Sequence, residues 1–186
     1  YNGSGSAPQN VTHNLTVTPE MMIIKYRDGS TNWYVYHSAL GNTKACYLET
    51  NATPTTSAVF WNNTSPTATQ FTLGSFAVNS GKYIAYLFAT LAGISKVGSV
   101  VHSGTTNVDC GFSAGARFVL VKRTDASGDW YVWDSARGIV AGNDPYLLLN
   151  STAVEVTNTD YIDPLASGFT LTSSFTAGTY IFLAIA

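Results

Sequence analysis

Charge is what this chain has least of. Only 9 of its 186 residues are Lys or Arg and 11 are Asp or Glu, 11% together, against roughly 25% in an ordinary globular domain. With a net charge of −2 and no basic run, the chain cannot neutralise a row of phosphates, so nucleic acid is not an expected partner. Cysteine is nearly absent. Cys46 and Cys110 cannot build a disulfide framework and lack a CxxC spacing; they read as buried thiols, with a single disulfide as the alternative. Long apolar runs are missing too. The longest, Tyr83 to Ile94, is interrupted by Thr90 and Gly93 and is too short for a bilayer, so membrane insertion is not expected. The three histidines, His13, His37 and His102, are scattered, with no HExxH or HxH spacing, and no nucleophile elbow accompanies them. No catalytic residue, no metal and no cofactor is predicted.

What is abundant is aromatic and small polar. The chain holds 11 Tyr, 9 Phe, 4 Trp and 16 Gly, and 45% of it is hydrophobic. Thr and aromatics suit half-buried strands, while Ser, Asn and Gly suit turns. The length fits one large domain or two small ones. Roughly 70% of the unfolded surface could be buried at this size.

The chain also repeats itself. Trp33-Tyr34-Val35-Tyr36 meets Trp130-Tyr131-Val132-Trp133, and Lys25-Tyr26-Arg27-Asp28 meets Lys122-Arg123-Thr124-Asp125 at the same offset. Gly81, Tyr83 and Ile84 meet Gly178, Tyr180 and Ile181, and Asn10-Val11 meets Asn107-Val108. The second copy carries Lys96-Val97-Gly98-Ser99 ahead of the point that matches the start of the first. This predicts that Tyr1 lies inside a once-continuous strand with more protein before it.

Each copy reads as strands: Met21–Tyr26 and Phe118–Arg123, then a turn, then Trp33–His37 and Trp130–Asp134. Cys46–Glu49 and Tyr146–Leu149 follow. Short strands are expected around Val59–Trp61 and Phe71–Leu73, and each copy closes on Lys82–Ala89 or Thr179–Ala186. No amphipathic helix stands out. Turn residues every eight to twelve positions indicate a sandwich or barrel. The expected fold is all-β: one β-sandwich domain over 1–186, jelly-roll or lectin-like. It is built from two tandem copies, 1–97 and 98–186, packed with approximate two-fold symmetry. A unit of about 90 residues buries its faces poorly alone, which leaves two separate small sandwiches as the runner-up.

Candidate chemistry is thin. Asp160 and Asp163, with Glu155 nearby, could in principle be a glycosidase pair or a cation loop, but Asp-x-x-Asp-Pro more often serves a turn. If Trp33 and Trp130 point inward, alternation turns Tyr34 and Tyr131 outward, where they could stack on a sugar or fill a partner pocket. Asn62, Asn63, Asn143 and Asp144 are the polar loop residues expected to assist. Several Asn-x-Ser/Thr triplets, such as Asn10-Val11-Thr12 and Asn150-Ser151-Thr152, are glycan acceptors in a eukaryotic secreted protein, but a chain this rich in Asn, Ser and Thr produces them by chance.

Taken together, Pro19-Glu20-Met21-Met22-Ile23-Ile24-Lys25, Asn32-Trp33-Tyr34-Val35-Tyr36-His37, Ser80 to Ala89, Gly93 to Ser99, Arg117 to Arg123 and Asp129 to Gly138 resemble a known repeat domain. It occurs in large virion proteins of marine tailed bacteriophages, tail-fibre-like proteins of poorly defined role. The resemblance covers nearly the whole chain and brings no functional residue with it. It implies a place on the virion surface, outside the cell. It also implies homo-oligomers (trimers are frequent among phage fibres) and other virion proteins as partners. An adhesion module for a host glycan or protein is the expected function. A structural capsid-decoration or fibre-shaft protein is the alternative, and a glycan-cleaving enzyme is the remote one.

Overall fold

The computed structural model describes residues 1–186, which divide into two compact units. The first holds Tyr1–Glu49 and Pro54–Ala89; the second holds Thr50–Thr53 and Thr90–Ala186. This departs from the expected single domain divided at residue 97. A cut there would split a strand that runs unbroken from Ser95 to His102 and pairs along its whole length within the second unit.

In the first unit, the strands are β1 (Asn2–Gly3), β2 (Gln9–Thr12), β3 (Met21–Tyr26), β4 (Tyr34–His37), β5 (Lys44–Tyr47), β6 (Thr55–Thr56), β7 (Gln70–Leu73) and β8 (Gly81–Phe88). One sheet has the order β1-β8-β3-β4-β5-β6, and β2 pairs with β7 in a second. A single helical turn, α1 (Ala58–Trp61), stands where a strand was expected. The Ser57 hydroxyl accepts the Val59 N–H, and Asn62 takes the left-handed conformation and donates its N–H to the Ala58 carbonyl. Both are helix-capping devices, and they override the β preference of Val59 and Phe60.

The second unit holds β9 (Ser95–His102), β10 (Thr106–Asp109), β11 (Phe118–Arg123), β12 (Trp130–Asp134), β13 (Leu147–Leu148), β14 (Ile162–Leu165), β15 (Gly168–Leu171) and β16 (Gly178–Ile185). Its larger sheet has the order β13-β12-β11-β16-β9 and its smaller one β10-β15-β14. Pro164 sits on β14, an edge strand, where its missing N–H costs no ladder bond.

Both units are β-sandwiches with their own cores. Met22, Ile24, Tyr36 and Tyr83 of the larger first sheet meet Phe71 and Leu73 of the smaller one, with Phe60 and Trp61 of α1. In the second unit Val119, Val121, Trp133, Tyr180 and Phe182 meet Val108, Ile162, Phe169 and Leu171. The pairing registers correspond. Met21 opposes His37 and Phe88, while Phe118 opposes Asp134 and Ile185. In each smaller sheet a threonine hydroxyl donates to an asparagine: Thr72 to Asn10 Oδ1 at 2.9 Å, Thr170 to Asn107 Oδ1 at 2.8 Å.

Polar groups close the hairpins. The Lys25 ammonium donates to the Thr31 carbonyl and stands 5.6 Å over the Trp33 ring. Lys122, fully buried, donates to the Asn51 carbonyl at 3.1 Å and to the Gly128 carbonyl. A buried ammonium is tolerable only with such acceptors. Both cysteines are free thiols in the buried interior.

One of the tightest backbone approaches is at Gly168, which opposes Asp109 across β15 and β10. A Cβ there would lie 2.0 Å from the Val108 carbonyl oxygen. Backbone cannot retreat as a side-chain tip can, so Gly168→Ala is expected to cost about 3 kcal/mol. Thermal melts against Ser167→Ala, a neighbouring turn substitution, check this; equal melting temperatures would refute the clash.

Candidate functional site

Alternation decides where the predicted aromatic residues go, and it places them inside. Positions 34 and 36, and 131 and 133, share a face of their strand, and that face is the one covered by the smaller sheet. Tyr34 packs against Tyr47, Phe60 and Phe76, with its ring centroid 4.4 Å from that of Phe76. Tyr131 stacks on Trp133 at 5.5 Å and meets Tyr146 and Phe175 edge-on. Burial raises both phenols above their ordinary pKa. The expectation of outward-facing Tyr34 and Tyr131 is therefore corrected. Trp130 is inaccessible on the opposite face, so choosing it as inward did not free its neighbour.

The loop residues divide. Asn62, Asn63 and Asn143 are exposed. Asn62 and Asn63 both have φ of 51°, a left-handed conformation that asparagine accepts better than most residues. The Asn63 carbonyl accepts from Asn42 Nδ2 at 3.0 Å, and Asn42 also donates to the Ser65 hydroxyl. This builds a polar turn in the first unit whose amide groups face solvent. Asp144, by contrast, is fully buried and is corrected from surface ligand to structural carboxylate. Its Oδ1 accepts the Val140 N–H at 2.7 Å, and its own N–H bonds to the Thr159 carbonyl.

Sequence reasoning missed an ion-paired group on the second unit. Arg137 pairs with Asp134 and, at 2.8 Å, with Glu155. An open depression of about 560 Å³ lies beside it, lined by Arg117, Asp134, Ser135, Arg137 and Ile185. The signal was present: Asp and Arg three apart after a strand end are a turn-stabilising pair. The guanidinium of Arg137 is already balanced by two carboxylates, and Ala136, Ile185 and Ala186 make the hollow's floor mostly apolar.

Each histidine holds backbone or structural partners: His13 bonds the Thr67 carbonyl, His37 accepts the Ala39 N–H, and buried His102 sits between the Thr106 hydroxyl and the Phe175 carbonyl. No three His, Cys, Asp or Glu side chains are grouped so as to hold a metal ion. Burial pushes the Cys110 thiol up to about 11, away from the reactive thiolate. The Asp160 carbonyl accepts from the Thr172 hydroxyl at 2.6 Å, and Asp163 lies on β14, so the Asp-x-x-Asp-Pro segment leads into a hairpin strand.

Asp144 gives the second unit a pH dependence. Burial, seconded by the negative charges of Asp163 and Asp160, raises its carboxyl from 3.8 to about 6. The folded state thus keeps a proton that the unfolded chain releases near 3.8. The stabilisation is complete below pH 3.8 and is lost as pH rises through about 6. Melts across this window are expected to show stability falling toward neutrality, and Asp144→Asn is expected to flatten that slope. A slope unchanged in the variant would assign it to other groups.

A family model described as a domain of unknown function (DUF7483) matches residues 1–186. No curated protein and no solved structure matches the chain.

Proposed function

We propose that this chain, which belongs to the DUF7483 family, is a non-enzymatic β-sandwich module on the outside of a tailed-phage particle, packing against other particle proteins. The observation that supports assembly over ligand capture is the fate of the aromatics. Tyr34, Tyr36, Tyr131 and Trp133 all belong to or pack against the cores, so the repeated strands offer no stacking surface for a sugar. The larger exposed apolar side chains, among them Tyr86, Leu91, Ile94 and Val101, suit contact with another protein surface. Low charge and a Thr-, Ser- and Asn-rich exterior agree with a packed, rigid particle coat, as does the resemblance to phage virion repeats.

Adhesion to a host glycan or protein is the second reading, favoured by the Asn62–Asn63 turn and by Asn143. Amide-lined loops on a rigid scaffold are a common way to bind polar ligands.

Density mapping of the intact particle separates the two. Copies tiling a shell or shaft are expected. Copies confined to a fibre tip, with glycan binding that Asn62→Ala and Asn63→Ala abolish, would establish adhesion instead. Hydrolysis of host polymer is expected at background for the wild type and for Asp160→Ala with Asp163→Ala. Turnover above background that these substitutions remove would make the chain an enzyme.

A further inference from the structure

The turn between β11 and β12 borders a small cleft in the second unit. Arg123, Asp129 and Tyr131 line it on one side, with Thr176 and Tyr180 on the other, around about 120 Å³ of space. That is well below the roughly 300 Å³ at which sites for drug-sized ligands begin. Ser127 and Thr176 at its rim are exposed, so the cleft is open to solvent.

Two opposite charges line this cleft and do not pair with each other. Arg123 Nε donates to Asp125 Oδ1 at 2.7 Å, and the two amino groups of the guanidinium make no hydrogen bond. Asp129 Oδ1 accepts from Asn150 Nδ2 at 2.8 Å, and its other oxygen accepts nothing. The Tyr131 ring belongs to the core packing, yet its hydroxyl makes no hydrogen bond and reaches the cleft. Burial, seconded by the negative charge of Asp129, keeps that phenol protonated. The Tyr180 phenol feels instead the charges of Arg123 and Asp125, and it donates to the Thr176 carbonyl at 2.7 Å. The cleft therefore has a basic end beside Tyr180 and an acidic end beside Tyr131.

Glycines set the arginine in place. A Cβ at Gly178 would lie 2.8 Å from Arg123 Nε and 3.0 Å from Asp125 Oδ1, and one at Gly128 would lie 2.7 Å from Arg123 Cβ. The first unit carries Tyr26 and Asn32 where the second has Arg123 and Asp129. Tyr26 lies over Gly81, where a Cβ would come within 2.6 Å of its ring, and it packs on Tyr83 at 4.8 Å. The same hairpin thus closes with neither charge, so the fold does not require the pair.

The geometry points to a binding site in the second unit for a small zwitterion, an α-amino acid of the size of glycine or alanine. Its carboxylate meets the edge formed by the Arg123 amino groups, which Asp125 leaves open because it engages Nε alone. Its ammonium meets the unpartnered Asp129 oxygen and Tyr131 Oη. An anion alone would leave Asp129 unmatched, and a cation alone would leave the guanidinium edge unmatched. The site adds a soluble ligand to a module whose proposed role is assembly, and it does not depend on that role.

Titration of the isotope-labelled chain with glycine and with L-alanine, read by two-dimensional NMR, tests the site. Saturable shifts are expected at the Gly128, Asp129 and Tyr131 amides. Methylammonium chloride and sodium acetate, at equal ionic strength, each carry one of the two charged groups. Each is expected to bind about tenfold more weakly than glycine, since one charge-assisted set of hydrogen bonds is lost. Asp129→Asn and Arg123→Gln are each expected to weaken glycine binding by about tenfold, and Tyr131→Phe by about threefold. Resonances away from the cleft that match the wild type verify the fold of each variant. Where a variant fails that control, the comparison of glycine with the two single-charge probes on the wild type still decides. Shifts that do not saturate with glycine or alanine overturn the proposal. So does methylammonium or acetate binding as tightly as glycine, which would reduce the site to one charge, and so do folded variants that bind like the wild type.

Discussion

Each unit depends on the pairing of its first long strand with its last. Met21–Tyr26 lies against Tyr83–Phe88, and Phe118–Arg123 against Tyr180–Ile185, six residue pairs in each case. Their sequence separation makes each pairing costly to form in the unfolded chain, so both must be strongly favoured once made. They are, because most alternate residues of both strands land in one core, Arg123 at the strand end excepted. Met22 opposes Leu87, Ile24 opposes Ala85 and Tyr26 opposes Tyr83; Val119 opposes Ala184, Val121 opposes Phe182 and Arg123 opposes Tyr180. A shift by one residue would exchange these for the other face. The remaining strands of the larger sheets inherit their register from this pair.

That register also sets where polarity can be tolerated. Lys25 and Lys122 lie on the face opposite Ile24 and Val121, at the hairpin ends of their strands, and reach carbonyls of the turn that follows. The N–H of Trp33 bonds the Glu49 carboxylate and that of Trp130 bonds the Asn150 side chain, so one acceptor after the third strand fixes the start of β4 and β12 in both units. In a chain with so few charges these groups are structural. The exposed ion pairs, Arg123 with Asp125 and Arg137 with Asp134 and Glu155, add little stability through solvent; they hold turns.

The all-β class and most long strands were legible because alternation and turn residues are local signals. Gly81–Phe88 and Gly178–Ile185, Met21–Tyr26 and Phe118–Arg123 stand within a residue or two of where patterning puts them. The side-chain direction of Tyr34 and Tyr131 was not legible. Both faces of a Trp-Tyr-Val-aromatic strand are apolar, so alternation gives two phases of equal merit, and only the position of the smaller sheet chooses between them. Asp144 misled for a related reason: Asn143-Asp144-Pro145 has the composition of an exposed turn, yet its carboxylate is turned inward to the Val140 N–H. The helical turn at Ala58–Trp61 was hidden because its caps, Ser57 and Asn62, are equally ordinary loop residues.

Corresponding last strands of the two units carry different side chains at one core position, Ala85 on β8 and Phe182 on β16. Phe182 fills the space beside β16, which obliges glycine at position 98 and closes that flank with the chain's own β9. Ala85 removes the ring and with it the obligation. Ile24 against Ala85 fills less volume than Val121 against Phe182, yet both units close as sandwiches with their own cores. Function in such a scaffold is decided at edges and loops, because the cores leave alternation no freedom to present anything else.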